Sequence, residues 1–579
     1  MVELVLTSPE EELFDYLIGS VHFHAASFSN CEHGRTVIRI AGGWVRDKLL
    51  GLGSSDVDIA LNNQSGLAFA ESVNAYLKSL GQCTRTIGVI QANPDQSKHL
   101  QTANIKVLGY DIDCVNLRAE TYADESRIPF TEIGSPFEDA LRRDFTINSL
   151  FYNLNTGQIE DFTTKGIIDL ERGLIRTPIS AFTTFRDDPL RIFRAIRFAS
   201  RFYFEVDGEL QDAARSTEIH SAVLSKVSRE RIYKECDGCF GQSSSGMPAR
   251  PYMAVFLMWH MNILDAVLPL QQIIHSFPID SSIQRCVSSD GDFRLLTCSG
   301  LQGPNPDWPQ IALSGVFWLD LLWAVRAHLL PNRWTTSGVK QFFADSHFTV
   351  TAELLRSPRR GEHLKPLVWA AMCAWMAGLH VIEKHKSVPL VPVALREALK
   401  METLSVKQVQ LALDSTPVFG RFLDSLMGYN MVAMDADCCY MAWTDDDVEA
   451  MGLQLRACRD MWRDCMLFSC ALKLSAMDRT SAAPRLSAHA GKDLIFTDIN
   501  LLLKGFVTHA VLAGRRNLTS LCRHATAVFN SPDIARTILA CVQLQQEAEG
   551  LQLDGVWAVK PLFDVRDCCL STRLPVLTD

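Results

Sequence analysis

The pattern of hydrophobic positions divides the chain into two parts. Short β-branched runs separated by turns occupy residues 35–180, and four of them predict strands, at 37–41, 57–61, 105–108 and 112–115. From Asp187 onward the apolar positions follow helical spacing, with breaks at 241–251, 288–309 and 428–437. We therefore predict an α+β fold, in which a mixed sheet with helices is followed by all-helical domains.

These breaks predict five segments, an N-terminal extension over residues 1–34, a head over 35–182, a helical neck over 183–285, a helical body over 286–430 and a helical tail over 431–579. Two apolar stretches, 311–330 and 367–382, have the composition of membrane segments. The first is interrupted by Asp320 and Arg326, and the second is too short to span a bilayer comfortably. We interpret both as buried core helices and expect no membrane partner.

Composition places the chain among ordinary globular proteins. Of its 579 residues 47% are hydrophobic and 21% are charged. The 56 basic and 66 acidic side chains leave a net charge of −10, so no protein-wide basic field attracts nucleic acid. Any phosphate-binding surface has to be local.

The 17 cysteines are scattered, and the single C-x-x-C pair, Cys236 and Cys239, lies in a predicted helix. We expect buried thiols rather than disulfides or a zinc site. The acidic N-terminus shows no targeting signal, which predicts a reducing compartment, the cytoplasm or the nucleus. A mitochondrial pool that depends on an alternative start stays open, and so does the oligomeric state.

A diglycine turn follows the first predicted strand. Gly42 and Gly43 come directly after this strand and precede a helix start that carries Arg46. Glycines let backbone N–H groups approach an anion, a helix start adds a positive end, and an arginine adds a fork of donors. The segment suits a triphosphate, although a diglycine turn by itself is more often purely structural.

Paired carboxylates follow in the next predicted strand. Since side chains alternate along a strand, Asp56 and Asp58 share one face. Asp113 offers a third carboxylate on a later strand, with Asp111 in reserve. Such a face suits two Mg²⁺ ions that bridge a phosphate. A solvated edge strand is the structural alternative, and a glycosyltransferase could use the same pair to hold a metal-bound nucleotide sugar.

A helix with many arginines is predicted to begin at Pro189. Asp188, Arg191 and Arg194 are spaced three residues apart, along one face. They could simply cap and stabilise an exposed helix. Alternatively, an acceptor beside a donor fork complements the edge of cytosine or adenine, which presents an amino group next to a bare ring nitrogen, and rejects uracil and guanine.

Arg142, Arg143, Asp144 and Asn148 form a polar cluster between these two motifs. The arginines can neutralise phosphate charge, and Asp144 or Asn148 can bond a ribose hydroxyl. A capped helix with a charged start is the structural alternative.

In this order and spacing, the motifs at 42–47, 56–58, 142–148 and 187–194 resemble those of the class II tRNA nucleotidyltransferases, the CCA-adding enzymes. These enzymes belong to the polymerase-β-like nucleotidyltransferase superfamily. Residues 161–170 and 228–232 match two further motifs of the family. The stretches 97–100 and 113–129 are similar to its eukaryotic members, and the resemblance covers about residues 35–240.

The resemblance implies a polymerase-β-like head and helical domains that hold the acceptor and T arms of tRNA. It implies addition of C, C and A to the tRNA 3′ end from CTP and ATP with two Mg²⁺ ions and no nucleic-acid template. By position, Asp56 and Asp58 bind the metals, Asp113 is the accessory carboxylate, and residues 120–139 match a flexible loop associated with the switch to adding A.

The resemblance also implies a set of nucleotide-binding residues. The pair Asp188 and Arg191 would read the base, and Asp144 and Asn148 would lie near the sugar. The full set is Gly42, Gly43, Arg46, Arg142, Arg143, Asp144, Asn148, Asp188, Arg191 and Arg194.

Other functions stay open at this level. A CC-adding enzyme, an A-adding enzyme and a poly(A) polymerase share these motifs. A catalytically silent RNA-binding protein is a different class, which the intact Asp56 and Asp58 disfavour, while the base-reading pair disfavours the glycosyltransferase. The tail after about residue 428 carries no matching motif.

Overall fold

A computed structural model describes residues 4–27, 36–54, 56–90, 102–121, 129–202, 204–241, 250–280, 308–328, 363–428 and 445–480, together with positions 537, 540–542, 544, 545 and 548. These residues fall into two compact units that divide between Pro269 and Leu270. The first unit contains the predicted head and most of the predicted neck, and the second contains parts of the predicted body and tail. The division into five segments stays a prediction.

A seven-stranded mixed sheet forms the centre of the first unit, in the order β3-β4-β5-β2-β1-β8-β9. Strands β2 and β5 pair in parallel, and the other neighbours are antiparallel. Strands β6 and β7 form a separate pair. The bounds are Ile38–Ala41 (β1), Asp56–Leu61 (β2), Ile87–Ile90 (β3), Thr102–Val107 (β4), Tyr110–Asn116 (β5), Arg118–Thr121 (β6), Phe130–Ile133 (β7), Phe151–Asn153 (β8) and Gln158–Glu160 (β9).

The four strands expected from the sequence are confirmed as β1, β2, β4 and β5. Side chains alternate along β2, where Val57 and Ile59 are fully buried and Asp56 and Asp58 lie on the opposite face. Strand β5 repeats this pattern with Ile112 and Cys114. The apolar face of the sheet packs against a helix that spans Gly66–Ser79, so the polar face is free to carry chemistry.

Helices make up most of the rest of the described chain. In the first unit they span Ser8–Ser27 (α1), Gly43–Leu49 (α2), Gly66–Ser79 (α3), Pro136–Leu141 (α4), Gly166–Arg172 (α5), Ala181–Asp187 (α6), Leu190–Phe202 (α7), Gly208–Ala214 (α8), Thr217–Lys226 (α9), Arg229–Phe240 (α10), Pro251–His260 (α11) and Leu264–Val267 (α12). In the second unit they span Leu270–Ser276 (α13), Trp308–His328 (α14), Leu364–Cys373 (α15), Leu390–Leu399 (α16), Thr403–Gly428 (α17), Asp445–Cys458 (α18) and Trp462–Thr480 (α19).

Helix α1 lies within the predicted N-terminal extension and packs against α3. Its Glu10 is 4% exposed and forms an ion pair of 2.5 Å with Lys48 of α2. Phe14 packs edge-to-face on Trp44, with ring centroids 5.4 Å apart. These contacts fix α1 to the helix that follows the diglycine turn.

Short strands interrupt the helical part of the chain. Strands β10 (Leu174–Ile175) and β11 (Glu205–Val206) pair in parallel. In the second unit, β12 (His380–Glu383) and β13 (Lys386–Pro389) form a hairpin. We expected the stretch 367–382 to form one core helix, but only its first part is helical. Gly378 has a φ of 81° and precedes β12, so the chain leaves the helix before this point. Residues 311–328 of the other stretch are confirmed as part of α14, and residues 329 and 330 lie outside the described part of the chain.

In the described residues no single helix combines the length and apolarity that a membrane crossing needs. The helical segments Pro251–His260 and Leu264–Ser276 meet those limits only together, across a bend of 105°. Cys236 and Cys239 are buried in α10, and burial raises the pKa of the Cys239 thiol to about 12. The expectation of buried thiols at this pair is confirmed.

Gly66, the first residue of α3, lies directly against β5. A Cβ atom at this position would stand 2.0 Å from the carbonyl oxygen of Cys114. We expect Gly66→Ala to lower the free energy of unfolding by about 3 kcal/mol or more, since a backbone atom cannot yield as a side chain does. Denaturant titration measures this.

Gly53→Ala is the control, because a Cβ atom at this position would meet nothing within 4 Å. It should change the free energy of unfolding by less than about 0.5 kcal/mol. Equal stability of both variants would mean that α3 can shift away from the sheet.

Candidate nucleotide-binding site

The diglycine turn is built for close approach. Gly42 has a φ of 66°, which glycine adopts without strain. A Cβ atom there would lie 2.6 Å from Nη1 of Arg143 and 3.1 Å from the carbonyl oxygen of Asn148. The turn thus brings these residues next to the start of α2. From α2, Arg46 donates a hydrogen bond of 2.5 Å from Nη1 to the side-chain oxygen of Asn148.

A row of carboxylates lies on the polar face of the sheet. The parallel register of β2 and β5 pairs Asp58 with Asp113 and Asp56 with Asp111. Asn104 donates a hydrogen bond of 2.8 Å to Asp113. Burial, and then the charge of Asp56, raises the pKa of Asp58 to about 6. Burial, and then Asp113 and Asp111, also raises the pKa of Asp56. This mutual repulsion would be relieved by a bound cation.

Asp56 and Asp58 have the donor chemistry that Mg²⁺ prefers, carboxylate oxygens on a shared face. In the part of the chain that the structure describes, no three acidic, histidine or cysteine side chains gather closely enough to enclose a metal ion. Mg²⁺ is commonly held by one or two carboxylates together with substrate phosphates and waters. Two carboxylates beside an arginine-lined cavity fit that mode of binding.

Asp139 orients the two adjacent arginines. It is 1% exposed and accepts hydrogen bonds from Arg142 at 2.6 Å and from Arg143 at 3.0 Å. Arg142 also donates to Glu120 at 2.7 Å, and the Arg143 guanidinium lies over the Phe151 ring. Ion pairs therefore hold both guanidinium groups, and the Phe151 ring also packs against that of Arg143.

Asp144 connects the head to helix α7. It is 8% exposed and accepts hydrogen bonds from Arg194 at 2.8 Å, from the Asn148 amide at 3.0 Å and from a backbone N–H. Burial alone would raise the pKa of Asp144, but Arg194 and Asn148 outweigh burial and lower it to about 2. Since Asn148 also bonds Arg46, a continuous chain of hydrogen bonds runs from α2 to α7.

The predicted base-reading pair lies at the start of α7. The Asp188 carboxylate accepts a hydrogen bond of 3.2 Å from the N–H of Leu190, as a capping residue does. Arg191 is 8% exposed, and its Nη2 donates to the backbone carbonyl of Arg142 at 2.7 Å. This bond fixes the guanidinium of Arg191 near the two adjacent arginines.

One cavity of about 700 Å³ brings most of these groups together. Its lining includes Asp58 and all ten predicted nucleotide-binding residues, Gly42, Gly43, Arg46, Arg142, Arg143, Asp144, Asn148, Asp188, Arg191 and Arg194. Asp56 and Asp113 do not line it and lie beside Asp58 on the sheet. Residues 97–100 lie outside the described part of the chain, and so do residues 122–128 of the expected flexible loop.

The sequence reasoning did not assign several residues of this site. Asp139 had a visible signal, because it precedes Arg142 and Arg143 by three and four residues, the spacing of neighbours on a helix. Arg197 and Arg201 carry a signal of the same kind, since they continue the helical spacing that begins at Arg191 and Arg194. The others become part of the site only through the packing of distant elements. They are Arg118, Glu120, Phe198 and Arg231.

Asp144→Asn should destabilise the protein by about 2 kcal/mol at pH 7, since it removes a buried carboxylate that Arg194 and Asn148 stabilise in its charged form. The pKa of Asp144 is lowered on folding from 3.8 to about 2, so its contribution is complete above pH 3.8 and is lost as pH falls towards 2. The stability difference between wild type and variant should shrink across that window by about 2 kcal/mol. Chemical denaturation at several pH values measures it, with the exposed Asp212→Asn as the control expected to be neutral. A pH-independent difference would contradict the assigned pKa.

The fold and the cavity together place an arginine-lined pocket next to a pair of carboxylates on a mixed sheet. Residues 38–176 match the family model described as the poly A polymerase head domain. A CCA tRNA nucleotidyltransferase, mitochondrial, of Saccharomyces cerevisiae is 46% identical over 239 residues, which cover 41% of this chain and 44% of that protein. The tRNA nucleotidyltransferase cca2 of Schizosaccharomyces pombe is 44% identical over 242 residues, 40% of this chain and 49% of that protein.

A more distant relative, an A-adding tRNA nucleotidyltransferase of Halalkalibacterium halodurans, is 31% identical over 201 residues, 34% of this chain and 43% of that protein. The chain thus spans less than half the length of the curated relatives it matches. The resemblance seen in the motifs is confirmed. Residues 38–176 are similar to the poly A polymerase head domain, and about 40% of the chain is similar to tRNA nucleotidyltransferases of two fungi.

Proposed function

We propose that the protein adds the 3′-terminal CCA sequence to tRNA, using CTP and ATP and no nucleic-acid template. The observation that carries the proposal is the shared cavity, which is lined both by Asp58 of the sheet and by Asp188 and Arg191 of the neck. A reacting phosphate and a base could therefore be held at once. The similarity to proteins named CCA tRNA nucleotidyltransferase supports the choice of substrates.

The proposed base selection follows from hydrogen-bonding chemistry. The Asp188 carboxylate can accept from the amino group of cytosine or adenine, while Arg191 donates to the neighbouring ring nitrogen. Uracil and guanine present a carbonyl beside an N–H. The carbonyl would face the Asp188 carboxylate, so that two acceptors meet, and the N–H would face Arg191, so that two donors meet. The bond from Arg191 to the Arg142 carbonyl supports this role, because it restricts the orientation of the guanidinium.

In this proposal the triphosphate lies against the Gly42 turn, Arg46 and Arg143. Mg²⁺ bound at Asp56 and Asp58 would neutralise charge on the phosphates and assist ionisation of the attacking 3′-hydroxyl of tRNA. The arginines that line the cavity balance the charge of the triphosphate and hold it against the sheet. Asp144 keeps Arg194 and Asn148 in place around the sugar.

The test uses purified protein, Mg²⁺ and labelled tRNA that ends at its discriminator base, with each nucleotide alone and with CTP plus ATP. Growth by three nucleotides only in the presence of both CTP and ATP is the expected result, resolved at single-nucleotide length. Binding of tRNA without any extension would favour the silent RNA-binding protein, and turnover of a nucleotide sugar would favour the glycosyltransferase.

A partial enzyme is the second candidate, since one relative is named as A-adding. Growth by two nucleotides with CTP, or by one with ATP on a tRNA that already ends in CC, would identify it. A long ladder of A residues would identify a poly(A) polymerase.

We also propose that the protein acts in mitochondria as well as in the cytoplasm or nucleus, because it is similar to the mitochondrial CCA tRNA nucleotidyltransferase of Saccharomyces cerevisiae. Fractionation of cells that express the tagged full-length protein tests this.

A further inference from the structure

We propose that Arg197, Arg201 and Arg231 form a second phosphate-binding subsite in the cavity, on the side of helices α7 and α10 and separate from the Gly42 turn. The proposal rests on the proposed function and extends it. The ligand is a phosphate group, which can come from the phosphodiester backbone of the RNA 3′ end or from the nucleotide triphosphate.

The arginines of the proposed subsite lie on two helices that pack against each other. Helix α7 carries Arg194, Arg197 and Arg201 at spacings of three and four residues, so they follow one face of the helix. All three line the cavity, and Arg231 lines it from α10, which packs against α7. The result is a row of guanidinium groups that continues beyond the base-reading pair.

The lining of the cavity has an excess of positive charge. Nine arginines line it against four acidic residues. Two of these acids already pair with Arg142 and Arg194. Arg197 pairs with Glu235 at 2.6 Å, but neither Arg201 nor Arg231 forms an ion pair with any carboxylate in the described ranges. Burial, and then the charges of Arg197 and Arg46, lowers the pKa of Arg201 to about 10. A bound anion would relieve this excess of positive charge.

Phe198 explains how so many cations are held together. The guanidinium carbons of Arg46, Arg194 and Arg197 lie 5.1, 5.5 and 4.7 Å from the centroid of its ring. An aromatic face attracts a guanidinium without occupying its in-plane N–H donors, whereas a carboxylate partner would occupy them. The ring therefore helps to hold three arginines together, each of which also pairs with a carboxylate. The donors offered to an anion are chiefly those of Arg201 and Arg231, which lie beside them in the cavity.

The experiment compares the full-length wild type with Arg201→Gln and Arg201→Lys. Arg172→Gln, at an exposed position of α5 outside the cavity, is the matched control. The first measurement is the increase in melting temperature caused by inorganic tripolyphosphate. We expect this increase to fall by at least half in Arg201→Gln, to be intermediate in Arg201→Lys, which keeps the charge but loses the fork, and to be unchanged in the control.

Two further measurements identify the source of the phosphate. If the RNA backbone supplies it, Arg201→Gln should raise the Kd for tRNA about tenfold and reduce the salt dependence of binding by nearly one phosphate contact. If the nucleotide supplies it, the KM for CTP should rise about tenfold while tRNA affinity stays unchanged.

Unchanged tripolyphosphate stabilisation, tRNA affinity and KM in Arg201→Gln would overturn the proposal. Misfolding is not expected to obscure the result, because the substitution removes a charge that Arg46 and Arg197 repel, so the melting temperature without ligand should stay equal or rise. The tripolyphosphate measurement needs no turnover. Loss of that binding in a protein that fails to extend tRNA would support the subsite and refute only the proposed function.

Discussion

Replacing Asp58 with alanine is expected to reduce nucleotide incorporation by roughly 10³-fold or more and to leave the fold intact. Loss of a metal-binding carboxylate removes several kcal/mol of transition-state stabilisation, and each 1.4 kcal/mol corresponds to about a factor of ten in rate. The fold should tolerate the change, because the pKa of Asp58 is raised to about 6 on folding. Its carboxylate therefore opposes folding at neutral pH, and the melting temperature of Asp58→Ala should equal or exceed that of wild type.

Single-turnover extension of labelled tRNA measures the rate of this variant, and thermal unfolding measures its stability. Asp111→Ala is the matched control, since Asp111 lies on the same face of the sheet and pairs with Lys106 at its exposed end. Asp113→Ala should impair extension more than Asp111→Ala does. Turnover near the wild-type value in Asp58→Ala would refute the assignment of the metal site. Equal effects of the substitutions at positions 111 and 113 would refute the choice of Asp113 as the accessory carboxylate.

Asp188→Ala is expected to relax the choice of base, lowering the preference for CTP over UTP by roughly 10²-fold. An unpaired polar group in a closed site costs about 1–3 kcal/mol, and the variant removes the acceptor that penalises a carbonyl at this position. Incorporation of each nucleotide on the same tRNA, expressed as kcat/KM, measures the preference. The effect should arise mainly through faster use of UTP and GTP relative to CTP and ATP.

Asp187→Ala provides a close control for this prediction. Asp187 is the last residue of α6 and is not part of the cavity lining, although it adjoins Asp188 in the chain. We expect it to leave base preference unchanged. If Asp188→Ala discriminates as strongly as wild type, the base is read by other residues and the role of Arg191 has to be reconsidered as well.

The carboxylate face was predictable because strand periodicity is strict. If the predicted strand at 57–61 extends back by one residue to Asp56, as it does in the structure, alternation requires both aspartates to share the face opposite Val57 and Ile59. The diglycine turn was predictable for a related reason, because the left-handed conformation at Gly42 excludes most other residues. Both features depend only on neighbours in the chain.

Features that depend on distant residues were not predictable. No local pattern shows that the Asp144 carboxylate pairs with Arg194, fifty positions away, or that Arg201 lines the same cavity as Gly42. The β12–β13 hairpin was missed because its turn uses Lys384 and His385 at φ values of 48° and 64°, where glycine or asparagine would be the recognisable signal. Because the residues of this turn do not favour a positive φ, the sequence does not predict the turn.

The order of strands in the sheet has a consequence for synthesis on the ribosome. Strand β1 pairs with β2 on one side and with β8 on the other, and about 110 residues separate β1 from β8. At 5–20 residues per second, β1 waits roughly 5–20 s for its second partner. During that time its open edge can pair with other nascent chains, so we expect chains that stop before Phe151 to aggregate and to depend on chaperones.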